Sequence, residues 1–243
     1  MAFLTNSECP FSCTFCDLWV NTLDGPTPPG AVAGQVERIA LDHPAASHPH
    51  IKLYNSGNFW DQRAIPAGDM PRVAAALRGR TTVIVESHPK LVDERAPAFN
   101  DALGGGLEVA MGLETADPEV LASLNKSMTP DDFAVATRRL VAWGIPVRAF
   151  ILVRPPGHDE EQALHWAKRS IDFAQDAGAQ CCVLIPTRGP DPPALETVEA
   201  SFRHGLARNQ GRVFVDLWDL QAPTERLAAL DRANRTQHAE MLG

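Results

Sequence analysis

A chain of 243 residues, 44% of them hydrophobic and 21% charged, matches one soluble α/β domain with a sizeable core. No apolar run approaches the roughly 18 residues a membrane span needs, and the opening Met1-Ala2-Phe3-Leu4-Thr5 lacks the basic and apolar regions of a secretory signal. The expected setting is the cytoplasm, with no membrane partner and thiols kept reduced, and the net charge of −8 argues against a broad polyanion-binding surface.

In chain order, strand-like runs recur at 2–5, 50–56, 81–87, 107–114, 146–153, 179–186 and 212–217. Their near-continuous apolar character suits parallel strands buried on both faces. Helical patterns lie between them at 34–41, 70–77, 118–124, 130–143 and 160–177. Thr129-Pro130-Asp131-Asp132 is a helix start, with a capping hydroxyl, Pro in the first turn and acids at the positive end of the dipole. Gly144, Gly178 and Gly211 follow helices where a left-handed cap is wanted. The tail 225–242 reads as a helix that packs on the core, so residues 1–220 form one core domain and 221–243 a C-terminal helix.

Strands alternating with helices imply a parallel sheet curled into an incomplete barrel. The fold class is α/β, a partial (β/α)6 TIM-like barrel with an extra strand and a C-terminal helix. Ligands in such folds sit at the carboxyl ends of the strands. Polar residues cluster there: Asn55-Ser56-Gly57-Asn58, Glu86-Ser87-His88-Pro89, Gly112-Leu113-Glu114-Thr115, Arg154 and Thr187-Arg188.

After the first strand comes Cys9-Pro10-Phe11-Ser12-Cys13-Thr14-Phe15-Cys16, a C-x₃-C-x₂-C run. Thiolates are soft ligands that suit iron–sulfur clusters and zinc. A closed structural zinc site wants four ligands, and no Cys or His follows the run before His43. Three thiolates on a [4Fe–4S] cluster leave one iron open for a substrate or cofactor. Cys181 and Cys182 are adjacent on a buried strand and point to opposite faces, which reads as small core side chains rather than ligands.

The cysteine run resembles that of the radical S-adenosylmethionine (SAM) family. With the segments 54–59, 107–114, Asn125-Lys126 and 147–156, it resembles the core shared by elongator-like catalytic subunits and methylthiotransferases. Glu8-Cys9-Pro10, Asp17-Leu18-Trp19, Leu53-Tyr54-Asn55 and Glu86-Ser87-His88-Pro89 carry a closer likeness, to the radical SAM subunit of archaeosine synthase and its bacterial relatives. The resemblance covers residues 3–220.

It implies that Cys9, Cys13 and Cys16 hold the cluster and that SAM chelates the remaining iron. Phe15 would place its backbone near the adenine, and Ile185 would pack on it. The turn from Asn55 to Asn58, with Asn55, Ser56 and Gly57 as its candidate contacts, stands where the family usually has Gly-Gly-Glu, offering carbonyls to the SAM amine; this chain departs from that pattern. Glu114 would meet the ribose hydroxyls or the amino-acid end of SAM, and Lys126 its carboxylate. The bland readings are a cap of the next helix for Glu114, a surface position for Lys126, and turn glycines at Gly57 and Gly112.

The implied activity is reductive cleavage of SAM to a 5′-deoxyadenosyl radical that abstracts hydrogen from substrate, with a flavodoxin or ferredoxin as electron donor. The acidic balance, and a chain that leaves no room for an appended basic module, favour a small organic substrate; tRNA is the runner-up. Arg148, Arg154 and Arg188 could line the mouth and bind phosphate or carboxylate. A non-enzymatic metal-binding or interaction protein is the alternative of another class.

Overall fold

A computed structural model describes residues 1–243. Seven strands follow one another in sequence order, β1 to β7, across one sheet. The register is parallel between β1 (Ala2–Phe3) and β2 (His50–Tyr54), between β2 and β3 (Thr82–Glu86), and between β3 and β4 (Leu107–Glu114). It is parallel again among β5 (Val147–Val153), β6 (Cys181–Pro186) and β7 (Arg212–Val215). No helix is long and apolar enough to cross a membrane.

The chain divides into two compact units, each described by itself. The first comprises Met1–Met111 with Arg139–Pro146, the second Gly112–Arg138 with Val147–Gly243.

In the first unit, α1 (Ala31–Asp42), α2 (Met70–Leu77) and α3 (Arg95–Leu103) accompany β1 to β3. Ile51, Leu53, Val83 and Val85 point into the core. Their neighbours Lys52, Tyr54, Ile84 and Glu86 are only half-buried. The expectation of strands buried on both faces is therefore corrected for β2 and β3. One face is core, and the other carries a Lys52–Glu86 ion pair at 3.3 Å with Tyr54 beside it. Helix α3 is missing from the sequence reading because Pro97 makes its first turn look like a loop. Proline in a first turn forfeits no intrahelical hydrogen bond.

In the second unit, α4 (Pro118–Ser123), α6 (Glu160–Asp176), α7 (Leu195–Arg208) and α8 (Thr224–Thr236) flank β5 to β7, and α5 (Pro130–Ala142) continues from the second unit into the first. The α5 start has the expected capping chemistry: Thr129 Oγ1 accepts from Asp132 N–H, and Asp132 Oδ2 accepts from Thr129 N–H. Helix α7 also escaped the sequence reading. It carries Gly205, whose absent side chain has a packing reason: a Cβ there would lie 2.9 Å from Val213 Cγ2 of β7.

The tail is not the single helix expected over 225–242. It breaks at Gln237, which takes a left-handed φ of 58°. That break lets side chains act as a further strand would. Gln237 bonds both backbone groups of Val213, and Asn234 both those of Val215. The open edge of β7 is thereby satisfied and covered.

Candidate functional site

The cysteine loop leaves β1 and is pinned at its base. Ser7 N–H donates to Thr27 Oγ1 at 2.8 Å, and Leu23 N–H donates to Asn6 O at 2.9 Å. Inside the loop, Cys16 N–H reaches Cys13 O at 3.2 Å and closes a tight turn. Phe11 stacks on the buried His88 ring, with centroids 3.8 Å apart, which ties the loop to the turn after β3. Cys9, Cys13 and Cys16 are half-buried and line one cavity of about 500 Å³, together with Glu8, Ser56 and Arg63.

No three His, Cys, Asp or Glu side chains converge on a single-ion site. A closed zinc centre needs four ligands inside one coordination sphere, and the cavity lining contains three cysteines and no histidine. A four-iron cube seats each thiolate on a different corner. Three thiols on one cavity of about 500 Å³ are compatible with that larger group. The soft donor set fits it as well.

The turn after β2 adds two irregularities. Ser56 holds a left-handed φ of 48°. Asn55 is fully buried, yet neither its Oδ1 nor its Nδ2 has a partner. Buried amides are nearly always bonded, so an orphaned one asks for an explanation, and a bound polar ligand is one. Gly57 has no steric need to be glycine: a Cβ would make ordinary contacts, 3.7 Å from Cys9 Cα. Phe15 is half-buried and is not among the side chains that line the cysteine cavity.

The second unit holds its own constellation. Glu114, the last residue of β4, sits at φ 64° in a three-residue turn closed by Thr115 N–H to Leu113 O at 2.9 Å. Non-glycine residues held in this region cost roughly 1–3 kcal/mol and cluster at functional sites. Lys126 donates to Glu114 Oε1 at 2.6 Å, and both side chains are buried. Lys126 is set between Asn125 and Ser127, themselves at φ 53° and 58°.

Gly112 explains how the pair fits. A Cβ on it would overlap Glu114 Oε1 and approach Lys126 Nζ to 2.5 Å. The sequence pointed to Glu114 and Lys126 as two separate contacts. The structure joins them as an ion pair, which neither of the two bland alternatives for them describes. Lys126 is not a surface lysine. The helix after β4 is capped by Asp117, which accepts from Glu119 and Val120 N–H, and not by Glu114.

Other expectations fare differently. Arg154 is strained at φ 61° but is engaged by Asp191 at 2.6 Å and Glu160 at 3.0 Å, so it is no open anion site. Arg188 is exposed, 3.7 Å from Asp216. Arg148 lies over the Phe214 ring. Ile185 is half-buried on β6. The sequence reading missed the buried His158, which bonds Asp117 at 3.1 Å, and Arg63, and it placed Asn58 only as part of the turn after β2. A lone histidine after a strand, or an arginine in a loop, carries no signal of its own.

Cys182 is buried, and burial pushes its thiol well above the usual range. Alkylation of the unliganded, reduced, folded protein is therefore expected to label Cys9, Cys13 and Cys16 and to spare Cys181 and Cys182 until the chain unfolds. Peptide mass mapping checks this, and labelling of Cys182 in the folded state would contradict it.

No family model matches the chain. The β subunit of archaeosine synthase from Methanosarcina acetivorans is 27% identical over 172 residues, covering 67% of this chain and 49% of that protein. The chain spans about half or less of the length of the curated relatives it matches. Among solved structures, the archaeal Elp3 of Methanocaldococcus infernus superposes with a TM-score of 0.59 at 15% identity, over 91% of this chain and 57% of that one. Coproporphyrinogen III oxidase HemN from Escherichia coli, a radical SAM enzyme, does so with a TM-score of 0.56 at 12% identity, over 85% and 51%.

The fold is that of the radical SAM enzymes. It agrees with the resemblance drawn from Cys9, Cys13 and Cys16. A radical SAM core is a scaffold shared beyond its own chemistry, however. The HMG-CoA lyase of Brucella melitensis also matches, with a TM-score of 0.50 at 16% identity over 74% of this chain and 63% of that one. Fold alone does not assign a reaction. The HMG-CoA lyase and the radical SAM enzymes thus share the fold with this chain.

Proposed function

We propose that the chain is a radical SAM enzyme whose Cys9, Cys13 and Cys16 hold a [4Fe–4S] cluster and whose strand ends bind SAM. One observation carries the reading: three half-buried thiols, spaced C-x₃-C-x₂-C, line a single cavity of about 500 Å³. When bound, the cluster supplies the electron that cleaves SAM reductively, delivered by a one-electron donor of the ferredoxin or flavodoxin kind.

The chain's own residues hold and screen. The unpartnered Asn55 amide and the strained Ser56 backbone offer polar groups beside the cysteines. The Glu114–Lys126 pair presents a carboxylate oxygen and ammonium protons, which match hydroxyls and an amino-acid group. Ile185 supplies apolar contact to the adenine, and Phe15 backbone contact.

For the substrate, the net charge of −8 favours a small organic molecule over a polyanion. A second reading, a tRNA nucleoside, is supported by likeness to two archaeosine synthase β subunits. Incubation of cluster-loaded protein with SAM and reductant is expected to yield 5′-deoxyadenosine, and its absence would overturn the enzyme reading. Tight tRNA binding that falls steeply between about 50 and about 200 mM salt would favour the second substrate. Binding too weak to detect at low salt would favour the first.

A further inference from the structure

The turn after β2 contains one residue that touches a cysteine directly. Asn58 is buried, 3% exposed. Its Nδ2 lies 3.1 Å from Cys9 Sγ, and its Oδ1 lies 2.6 Å from His88 N. The second contact fixes the orientation of the amide. A backbone N–H can only donate, so the atom facing it must be the oxygen, and the NH₂ group must face the sulfur. The ring of His88 stacks on Phe11 of the cysteine loop, and its Nδ1 accepts from Lys90 N–H. The amide is thus held from behind by a rigid turn and aimed at the first thiol of the run.

We propose that Asn58 is a positioning residue for the cluster: it orients Cys9 and raises the reduction potential by donating an N–H to the Cys9 thiolate. The proposal rests on the cluster reading of the preceding subsection. Hydrogen bonds to cluster sulfurs are one of the levers that set reduction potential. A donor aimed at sulfur favours the more negative, reduced state. It also lowers the basicity of Cys9, so the three thiolates become inequivalent. Cys16 has no such amide; its own N–H is turned toward Cys13 O.

Two near-isosteric variants test this in the full chain after anaerobic reconstitution. Asn58→Leu removes the donor without opening space for water. Asn58→Asp keeps an oxygen for His88 N–H but puts an acceptor and negative charge against the sulfur. Redox titration followed by electron paramagnetic resonance of the reduced cluster reads the result.

Both variants are expected to retain iron and to shift the reduction equilibrium toward the oxidised state. The expected shift is about tenfold for Asn58→Leu, or about 59 mV for one electron, and more for Asn58→Asp. An unchanged potential in cluster-bearing Asn58→Asp would overturn the proposal, because a mere tether to His88 survives in that variant. Wild-type protein that takes up no iron and sulfide would instead overturn the cluster reading beneath it, and the two failures are told apart by the wild-type sample.

Discussion

Replacing Cys9, Cys13 and Cys16 together with Ala is expected to abolish the visible iron–sulfur absorption and the bound iron and acid-labile sulfide. Cys181→Ala and Cys182→Ala should leave both unchanged. The contrast follows from where the thiols stand. The three loop cysteines are half-buried around a cavity that admits a cluster, on a segment tied down by Ser7, Leu23 and Phe11. Cys181 and Cys182 are buried in β6, and burial holds the Cys182 thiol protonated. A metal ligand must give up its proton, so a thiol that burial keeps neutral is a poor one. Single replacements in the loop should each cost most of the iron, because every corner of the cube but one depends on its own cysteine. Loss of half the iron in Cys181→Ala or Cys182→Ala would point to a second cluster and defeat this assignment.

The parts of the fold that the sequence made legible are those written in local pattern. The strand at 107–114 is buried along its whole length, and its bounds were read to the residue. Helix α5 was legible from Thr129 and its acids, because capping chemistry is confined to a few adjacent residues. What escaped was set by partners far along the chain. Helix α7 needs a glycine where it crosses β7, and the break at Gln237 exists to bond the edge of β7. Neither demand leaves a local trace.

The candidate site divides in the same way. Cys9, Cys13 and Cys16, the proposed cluster ligands, are legible because such ligation needs one residue type at close spacing. Glu114 and Lys126 were found one at a time, by position after a strand and by resemblance. Their union could not be read, since it depends on three left-handed backbones at Glu114, Asn125 and Ser127 and on the bare Cα of Gly112. Left-handed φ is unusual outside glycine, and composition does not announce it. The recurrence of such residues at Ser56 two residues past β2, Glu114 ending β4 and Arg154 just past β5 shows strain gathered at the carboxyl ends of strands. That is where binding residues belong in parallel α/β sheets. The turn that holds Asn58 was marked, but the separate role of Asn58 stayed hidden for a simpler reason. It is one of two asparagines in a polar turn, and only the direction of its amide separates it from an ordinary turn residue.

The Glu114–Lys126 pair gives the second large effect. Glu114→Gln is expected to weaken SAM binding to the cluster-loaded protein by about ten- to a hundredfold, the loss of one charge-assisted contact worth roughly 1.5–3 kcal/mol. Glutamine is preferred to alanine here. Removing one partner of a buried ion pair outright can destabilise a fold by about 3–5 kcal/mol, whereas Gln keeps the shape and an oxygen for Lys126 Nζ. Gly112→Ala is the companion. It leaves every polar group in place and adds only a methyl, but that methyl occupies the space of Glu114 Oε1 and crowds Lys126 Nζ. The side-chain ends must move, so the pair survives and its position does not. If the pair binds SAM by geometry, Gly112→Ala weakens affinity in the same direction as Glu114→Gln. If the pair serves only the fold, both variants lose thermal stability while a calorimetric titration with SAM reads wild-type affinity. That second result, obtained on folded protein with full iron content, would remove Glu114 and Lys126 from the binding site.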